Sequence, residues 1–166
     1  CFNEKETLIS LIDKIQQSLN FHGYNFYEIL IVDDFSTDGS KELIEKNFLS
    51  KKNFKTFFHN ENMGKGAAIK TAKKFISGDI IIIQDADLEY DPNDYGKLIE
   101  PIFNGNFKVV YGSRVLNQIR YKSSGFSSKI RIFGNHILTI ISNFLNNQKL
   151  TDAHTCYKVF EADIFK

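Results

Sequence analysis

Apolar positions along this chain recur with two periods. Between Asn3 and about Leu19, the residues Leu8, Ile9, Leu11, Ile12, Ile15 and Leu19 return near every 3.6 positions, which predicts an amphipathic helix that Asn3 or Thr7 could cap. Beyond a turn at Gly23, the run Tyr27–Val32 predicts a buried strand, and a capped helix follows it to about Phe48. Phe54–His59 predicts a short strand, and residues 60–76 a loop and helix opened by Gly64-Lys65-Gly66. The consecutive isoleucines Ile80–Ile83 predict a strand buried on both faces, since such strands lose the alternation of a half-exposed one. Asp91-Pro92 predicts a helix entry, with Asp as cap and Pro at the first helical position, running to about Phe103. Phe107–Tyr111 predicts another strand and residues 115–128 a polar loop. Ile130–Leu145 is a helix apolar nearly all round, expected mostly in the core, with a membrane-facing side as the alternative. Strands alternating with helices predict an α/β, Rossmann-like, mostly parallel sheet with helices on both faces. No repeat or linker divides residues 1–166, so a single domain is expected.

Composition narrows the function classes. A charged fraction of 25% with a net charge of +1 gives no basic surface for nucleic acid. Two cysteines, Cys1 and Cys156, are too few for a disulfide framework or a cysteine-rich zinc site, and they point to a reducing compartment. No apolar run reaches the length of a membrane span, and no signal peptide is visible. The chain opens on Cys1-Phe2-Asn3-Glu4 and stops at Lys166 without punctuation, so truncation at both ends is expected.

The chemistry concentrates where the apolar runs stop. Ile80–Ile83 ends in Gln84-Asp85-Ala86-Asp87-Leu88-Glu89. If the backbone stays extended, Asp85, Asp87 and Glu89 share one side. Like charges so close are costly without a cation, and oxygen-only donors fit Mg²⁺ or Mn²⁺. The alternative is decoration of a helix start. Asp33 and Asp34 close the other strongly apolar run, as turn residues or as acceptors for a nucleobase or ribose. Lys65 could reach a phosphate, although Gly64-Lys65-Gly66 matches neither standard phosphate loop and close helix packing explains it equally well. The histidines lack metal-ligand spacing, and only His154, near Asp152, stands beside other chemistry. Arg114, Arg120, Lys122, Lys129 and Arg131 form a basic stretch, either a solvated loop or a phosphate contact.

In order along the chain, these blocks resemble family 2 glycosyltransferases of the GT-A fold, in the branch of dolichyl-phosphate mannose and polyprenyl-phosphate glucose synthases. Phe2-Asn3-Glu4 resembles that family's Tyr-Asn-Glu, and Val32-Asp33-Asp34-Phe35-Ser36 its Val-Asp-Asp-Gly-Ser, with Phe35 in place of Gly. Asn62-Met63-Gly64-Lys65-Gly66, Asp85-Ala86-Asp87-Leu88-Glu89, Gly112-Ser113-Arg114 and Thr151-Asp152 with Thr155-Cys156-Tyr157-Lys158 resemble four further blocks. The resemblance implies metal-dependent, inverting transfer of a hexose from a UDP- or GDP-sugar to a polyprenyl or dolichyl phosphate. The work would be done at the cytoplasmic face of a membrane, with peripheral contact. It implies that Asp34, with Phe2, Asn3, Glu4, Asp33 and Lys65, binds the donor. Asp85, Asp87 and Glu89 would hold the cation, Arg114 and Arg131 contact phosphate, and Asp152 lie near the transferred sugar. It also implies a first strand ahead of Cys1, without which the nucleotide pocket is incomplete.

An ionised phosphate acceptor needs no strong base, its second pKa being about 6. A sugar hydroxyl would need one, for which Asp152 is the candidate. The alternatives are a family 2 enzyme with a saccharide acceptor, a nucleotidyltransferase acting on sugar phosphates, and a non-catalytic nucleotide-sugar binding module.

Overall fold

The computed structural model describes residues 1–114 and 126–166, with side chains in the last long helix described from residue 134 onward. Of the loop expected at 115–128, residues 115–125, with Arg120 and Lys122, lie outside the described residues and 126–128 belong to the last long helix. The side chains of Lys129 and Arg131 also lie outside the described residues. In chain order the elements are α1 (Leu8–Phe21), β1 (Ile29–Asp33), α2 (Ser40–Phe48), β2 (Phe54–Phe58), α3 (Lys65–Lys73) and β3 (Ile80–Ile83). A single 3₁₀ turn (Pro92–Asp94) leads into α4 (Tyr95–Phe103), then β4 (Val109–Tyr111), α5 (Phe126–Asn146), β5 (Lys158–Glu161) and α6 (Ala162–Phe165). The first helix starts at Leu8, where its apolar period begins, rather than at Asn3, which is held at φ 56°, outside the helical region. Thr7 at its N-cap makes no side-chain cap bond. Asp91 caps the 3₁₀ turn as expected, its Oδ1 accepting Asn93 N–H at 3.0 Å.

The sheet is in two parts. β1 and β2 run parallel in the register Ile29↔Phe54 to Asp33↔Phe58. β3 and β4 both flank β5 antiparallel, and so run the same way as each other. The core is built by Leu8, Leu11, Ile12 and Ile15 of α1, together with Leu98 and Ile99 of α4, all buried. At about 25 cal/mol per Å² of apolar surface, burying each such side chain favours folding by roughly 1.5–3 kcal/mol. Two further elements differ from expectation. Ile137, Leu138, Ile140, Ile141, Phe144 and Leu145 of α5 are exposed, so its described part is not core. The isoleucines of β3 are only half-buried.

The second difference has a geometric cause. Ladder bonds alternate sides along a strand. Ile29 N–H donates to Asn53 O and His59 N–H to Asp33 O, both at 2.9 Å on the β2 side, so Leu30 and Val32 present their backbone groups to the opposite side. There Cys1 makes one rung of parallel pairing: its ammonium donates to Val32 O at 2.9 Å, and its carbonyl accepts from Asp34 N–H at 2.9 Å. β3 is likewise an edge strand, with β5 on one side only. Between the open edges of β1 and β3 lies a groove of about 1640 Å³, whose floor is lined by Leu30, Val32 and Ile80–Ile83. β3 has one covered edge and one facing this groove.

Candidate functional site

The groove mouth gathers residues singled out from sequence alone: Phe2, Glu4, Asp34, Lys65, Asp85 and Asp87 all line it. Phe2 and Glu4 come from the segment before α1, and the others from the carboxyl ends of β1 and β3 and the amino end of α3, the edge where open α/β sheets collect ligands.

The segment after Cys1 is stitched to the loop after β1. Asn3 N–H donates to Ser36 Oγ at 2.8 Å, Thr37 N–H to Asn3 Oδ1 at 2.8 Å, Glu4 N–H to Ser40 Oγ at 3.0 Å, and Lys5 N–H to Asp38 Oδ2 at 3.0 Å. Asn3 therefore organises the loop, and the Glu4 carboxylate accepts from Thr7 Oγ1 at 2.6 Å. Phe35 sits at φ 68°, a conformation that suits the glycine found there in the resembling sequences and costs a non-glycine residue about 1–2 kcal/mol.

Asp33 and Asp34 are both buried. Asp33 accepts Ser36 N–H at 3.1 Å. Asp34 accepts Met63 N–H at 2.9 Å and Gly64 N–H at 2.7 Å, and His59 Nδ1 lies 2.7 Å from its Oδ1. Because an ionised carboxylate only accepts, His59 donates there, and its Nε2 faces Thr71 Oγ1 at 2.9 Å. Burial pushes the Asp34 pKa up, but the bonds from His59, Met63 and Gly64 outweigh it and hold the group below the ordinary carboxylate range. Asp34 thus fixes the turn into α3 while one edge lines the groove.

The acidic run does not stay extended. Leu88 adopts φ 59°, and Asp87 Oδ1 accepts Glu89 N–H at 3.0 Å, so the backbone turns and the one-sided alternation of the three acids is lost. Among the described residues no cluster of three or more ligand side chains could hold a metal. Instead the acids are divided. Lys65 Nζ pairs with Asp85 at 2.6 Å, and Arg114 Nη1 reaches Glu89 Oε1 at 3.3 Å. The extended, one-sided arrangement expected of Asp85, Asp87 and Glu89 is therefore not what the backbone adopts. Among the described residues no lysine or arginine pairs with Asp87. A single carboxylate fits Mg²⁺ or Mn²⁺ completed by water and substrate phosphates, the usual arrangement for Mg²⁺.

Arg114 is placed by Gly112. A Cβ there would lie 2.8 Å from Tyr157 Cβ, and Gly112 N–H donates to Tyr157 O at 2.8 Å, so only glycine lets the backbones meet. The guanidinium then grips Asp152 through Nε at 2.8 Å and Nη2 at 3.2 Å. Burial raises the Asp152 pKa, but hydrogen bonds and charge from Arg114 overcome this and lower it. A carboxylate held that way is a weak proton acceptor near neutrality, which argues against Asp152 as a general base.

Asp34, Asp38 and Asp152 all have lowered folded-state pKa values. Their contribution to stability is complete above the unfolded aspartate value of about 3.9 and is lost as pH falls through the lower folded values. The urea midpoint is therefore expected to hold from pH 7 to 5 and fall below about pH 4. An unchanged midpoint at pH 3 would contradict this.

Two participants were not legible in sequence. His59 reaches Asp34 across a strand end, and Cys156 accepts from Lys65 Nζ at 3.3 Å through Sγ. Burial and the nearby Asp85 push the Cys156 thiol up to about 12. Among the described residues, the hydrogen bond between His154 and Asp152 runs through the His154 backbone N–H, at 3.1 Å. The Arg131 side chain lies outside the described residues.

Glycosyl transferase family 2 matches residues 1–166. The chain is 28% identical to a UDP-N-acetylglucosamine–dolichyl-phosphate N-acetylglucosaminyltransferase of Methanococcus voltae, across 99% of this chain and 68% of that one. Against a dolichol-phosphate mannosyltransferase of Pyrococcus furiosus the identity is 34%, over 78% of this chain and 35% of the relative. The chain thus spans between about a third and two thirds of the length of these relatives. Glucosyl-3-phosphoglycerate synthase of Mycobacterium tuberculosis shares the fold with TM-score 0.66 at 16% identity, over 99% of this chain and 55% of that one. A Pyrobaculum calidifontis mannosyltransferase solved with GDP-Man and Mn²⁺ matches with TM-score 0.59 at 21% identity, over 73% and 35% of the two chains. These likenesses place the fold among GT-A glycosyltransferases.

Proposed function

This chain belongs to glycosyl transferase family 2, and from that membership we propose that it transfers a hexose from a UDP- or GDP-sugar to a polyprenyl or dolichyl phosphate. The observation that supports this most is that the acid-bearing ends of β1 and β3 and the Lys65 ammonium open into one groove. Asp34 would meet the nucleoside, Phe2 would offer its exposed ring, and Asp87 would hold Mg²⁺ or Mn²⁺. The ion, when bound, supplies Lewis-acid neutralisation of the departing diphosphate. Arg114 would meet phosphate on the outer side, with Asp152 holding its fork in place.

The acceptor class follows from the proton chemistry. Asp152 is a weak base in this setting, so an acceptor that is already ionised fits better than a sugar hydroxyl. The exposed apolar face of α5 supports peripheral contact with a membrane, where such an acceptor resides. No helix among the described residues is long and apolar enough to cross a bilayer.

The reading includes one more strand. The groove floor has an open backbone edge on each side, and Cys1 already makes a parallel rung with β1. An apolar strand running into Cys1 would join the two sheets and leave the acidic mouth as the donor pocket.

Vesicles carrying polyprenyl phosphate and anionic lipid, incubated with Mn²⁺, labelled donor and the chain extended by such a strand, test this reading. Label is expected in the organic-soluble lipid, and the protein is expected to sediment with the vesicles. Replacing Ile140 and Phe144 by Asp should reduce sedimentation several-fold. Label appearing only in free sugar would sink the acceptor assignment, and sedimentation unchanged by the substitutions would sink the role of α5.

A further inference from the structure

Lys65 joins three elements. Its Nζ lies 2.6 Å from Asp85 Oδ1 and 2.7 Å from Oδ2, at the end of β3, and 3.3 Å from Cys156 Sγ, just before β5. Lys65 is the first residue of α3, and the turn before it is fixed from β1: Met63 and Gly64 both donate to Asp34. Gly64, at φ 82°, makes the turn that aims the helix start at the acids. A continuous line of contacts therefore runs from Asp34 through Gly64 and Lys65 to Asp85, between two sheet portions that share no ladder. The charges follow the same division. Asp85 has a cation of its own in Lys65, whereas Asp87, two residues on, has none among the described side chains.

We infer that Lys65 is a positioning residue that occupies Asp85, so that Asp87 takes the divalent cation alone. This rests on the metal-dependent reading above and adds to it that the acidic run is kept from becoming a two-carboxylate metal site. The ammonium does this in two ways. It neutralises the carboxylate that would otherwise be the second ligand, and it adds a positive charge that opposes a cation nearby. A site with one carboxylate binds the free ion loosely and gains affinity when donor phosphates complete the shell. Metal and nucleotide then bind together.

The test is Mn²⁺ binding without donor, read by electron paramagnetic resonance of the free ion, on the chain and on Lys65→Met, Lys65→Gln, Lys65→Arg and the double variant K65M/D85N. Thermal midpoints measured alongside identify any variant that has lost its fold. Lys65→Met and Lys65→Gln are expected to bind Mn²⁺ about tenfold tighter than the parent, Lys65→Arg as the parent does, and the double variant to return to parent affinity. Parent-like or weaker binding by folded Lys65→Met and Lys65→Gln overturns the inference. Tighter binding that survives Asp85→Asn also overturns it, since Asp85 would not then be the freed ligand. Asp87→Ala tests the underlying reading separately. If that variant binds Mn²⁺ as the parent does, Asp87 is not the ligand, whereas unchanged Lys65 variants beside a lost Asp87→Ala site overturn only the role of Lys65.

Discussion

Arg114→Ala is expected to lower the thermal midpoint by about 6–12 °C. The reasoning starts from Asp152, which is 3% exposed and takes two guanidinium bonds. Its other donors among the described residues are the backbone N–H groups of Arg114 and His154, at 3.3 and 3.1 Å. Removing one partner of a buried ion pair leaves a charge without compensation and costs about 3–5 kcal/mol. The backbone donors soften this, so about 3 kcal/mol is the appropriate figure, and each kcal/mol moves the midpoint of a domain this size by roughly 2–4 °C. The effect is one of mispairing, not of the pair's net worth. The double variant Arg114→Met with Asp152→Leu should therefore recover most of the loss. Calorimetric scans of the two variants beside the parent chain decide it. A shift below about 2 °C in Arg114→Ala would mean that Asp152 is effectively solvated.

How far the chain could be read in advance depended on the range of the interaction. The apolar runs ending in Asp33-Asp34 and in Asp85-Ala86-Asp87 identified two strand ends correctly, because a buried strand and the charges that stop it are contiguous in sequence. Cap residues such as Asp91 were legible for the same reason. The arrangement of the acids was not. Alternation places Asp85, Asp87 and Glu89 on one side only while the backbone stays extended, and Leu88 at φ 59° ends that condition. Nothing in leucine announces a left-handed conformation. Lys65 pairs with an acid twenty positions away, and His59 with one twenty-five away, at distances that no period reports.

Burial followed similar logic. Ile80–Ile83 have the composition of a doubly covered strand, but coverage depends on what lies along the open edge. Likewise α5 is apolar nearly all round, yet its described side chains leave Ile140 and Phe144 at 67% and 86% exposure. Hydrophobicity tells which surface seeks cover and leaves open what provides it.

The largest functional effect is expected at Asp87. It lines the groove, sits at the carboxyl end of β3, and among the described residues has no lysine or arginine partner. On the proposed reading Asp87 holds the ion, and losing that carboxylate removes the neutralising charge on the donor diphosphate, an electrostatic effect on the order of 3 kcal/mol. Asp87→Ala should therefore reduce transfer by at least about a hundredfold. The fold should change little, because the carboxylate makes one local bond, to Glu89 N–H.

Calorimetric titration of UDP, GDP and their glucose and mannose conjugates, with and without Mn²⁺, tests the central claim most directly. It would be run on the chain extended through the strand proposed for the β1–β3 groove, beside its Asp87→Ala variant. The account predicts nucleotide-sugar binding that requires Mn²⁺ and disappears in Asp87→Ala. Binding that is indifferent to both the ion and Asp87, or no binding by the folded extended chain, would contradict it.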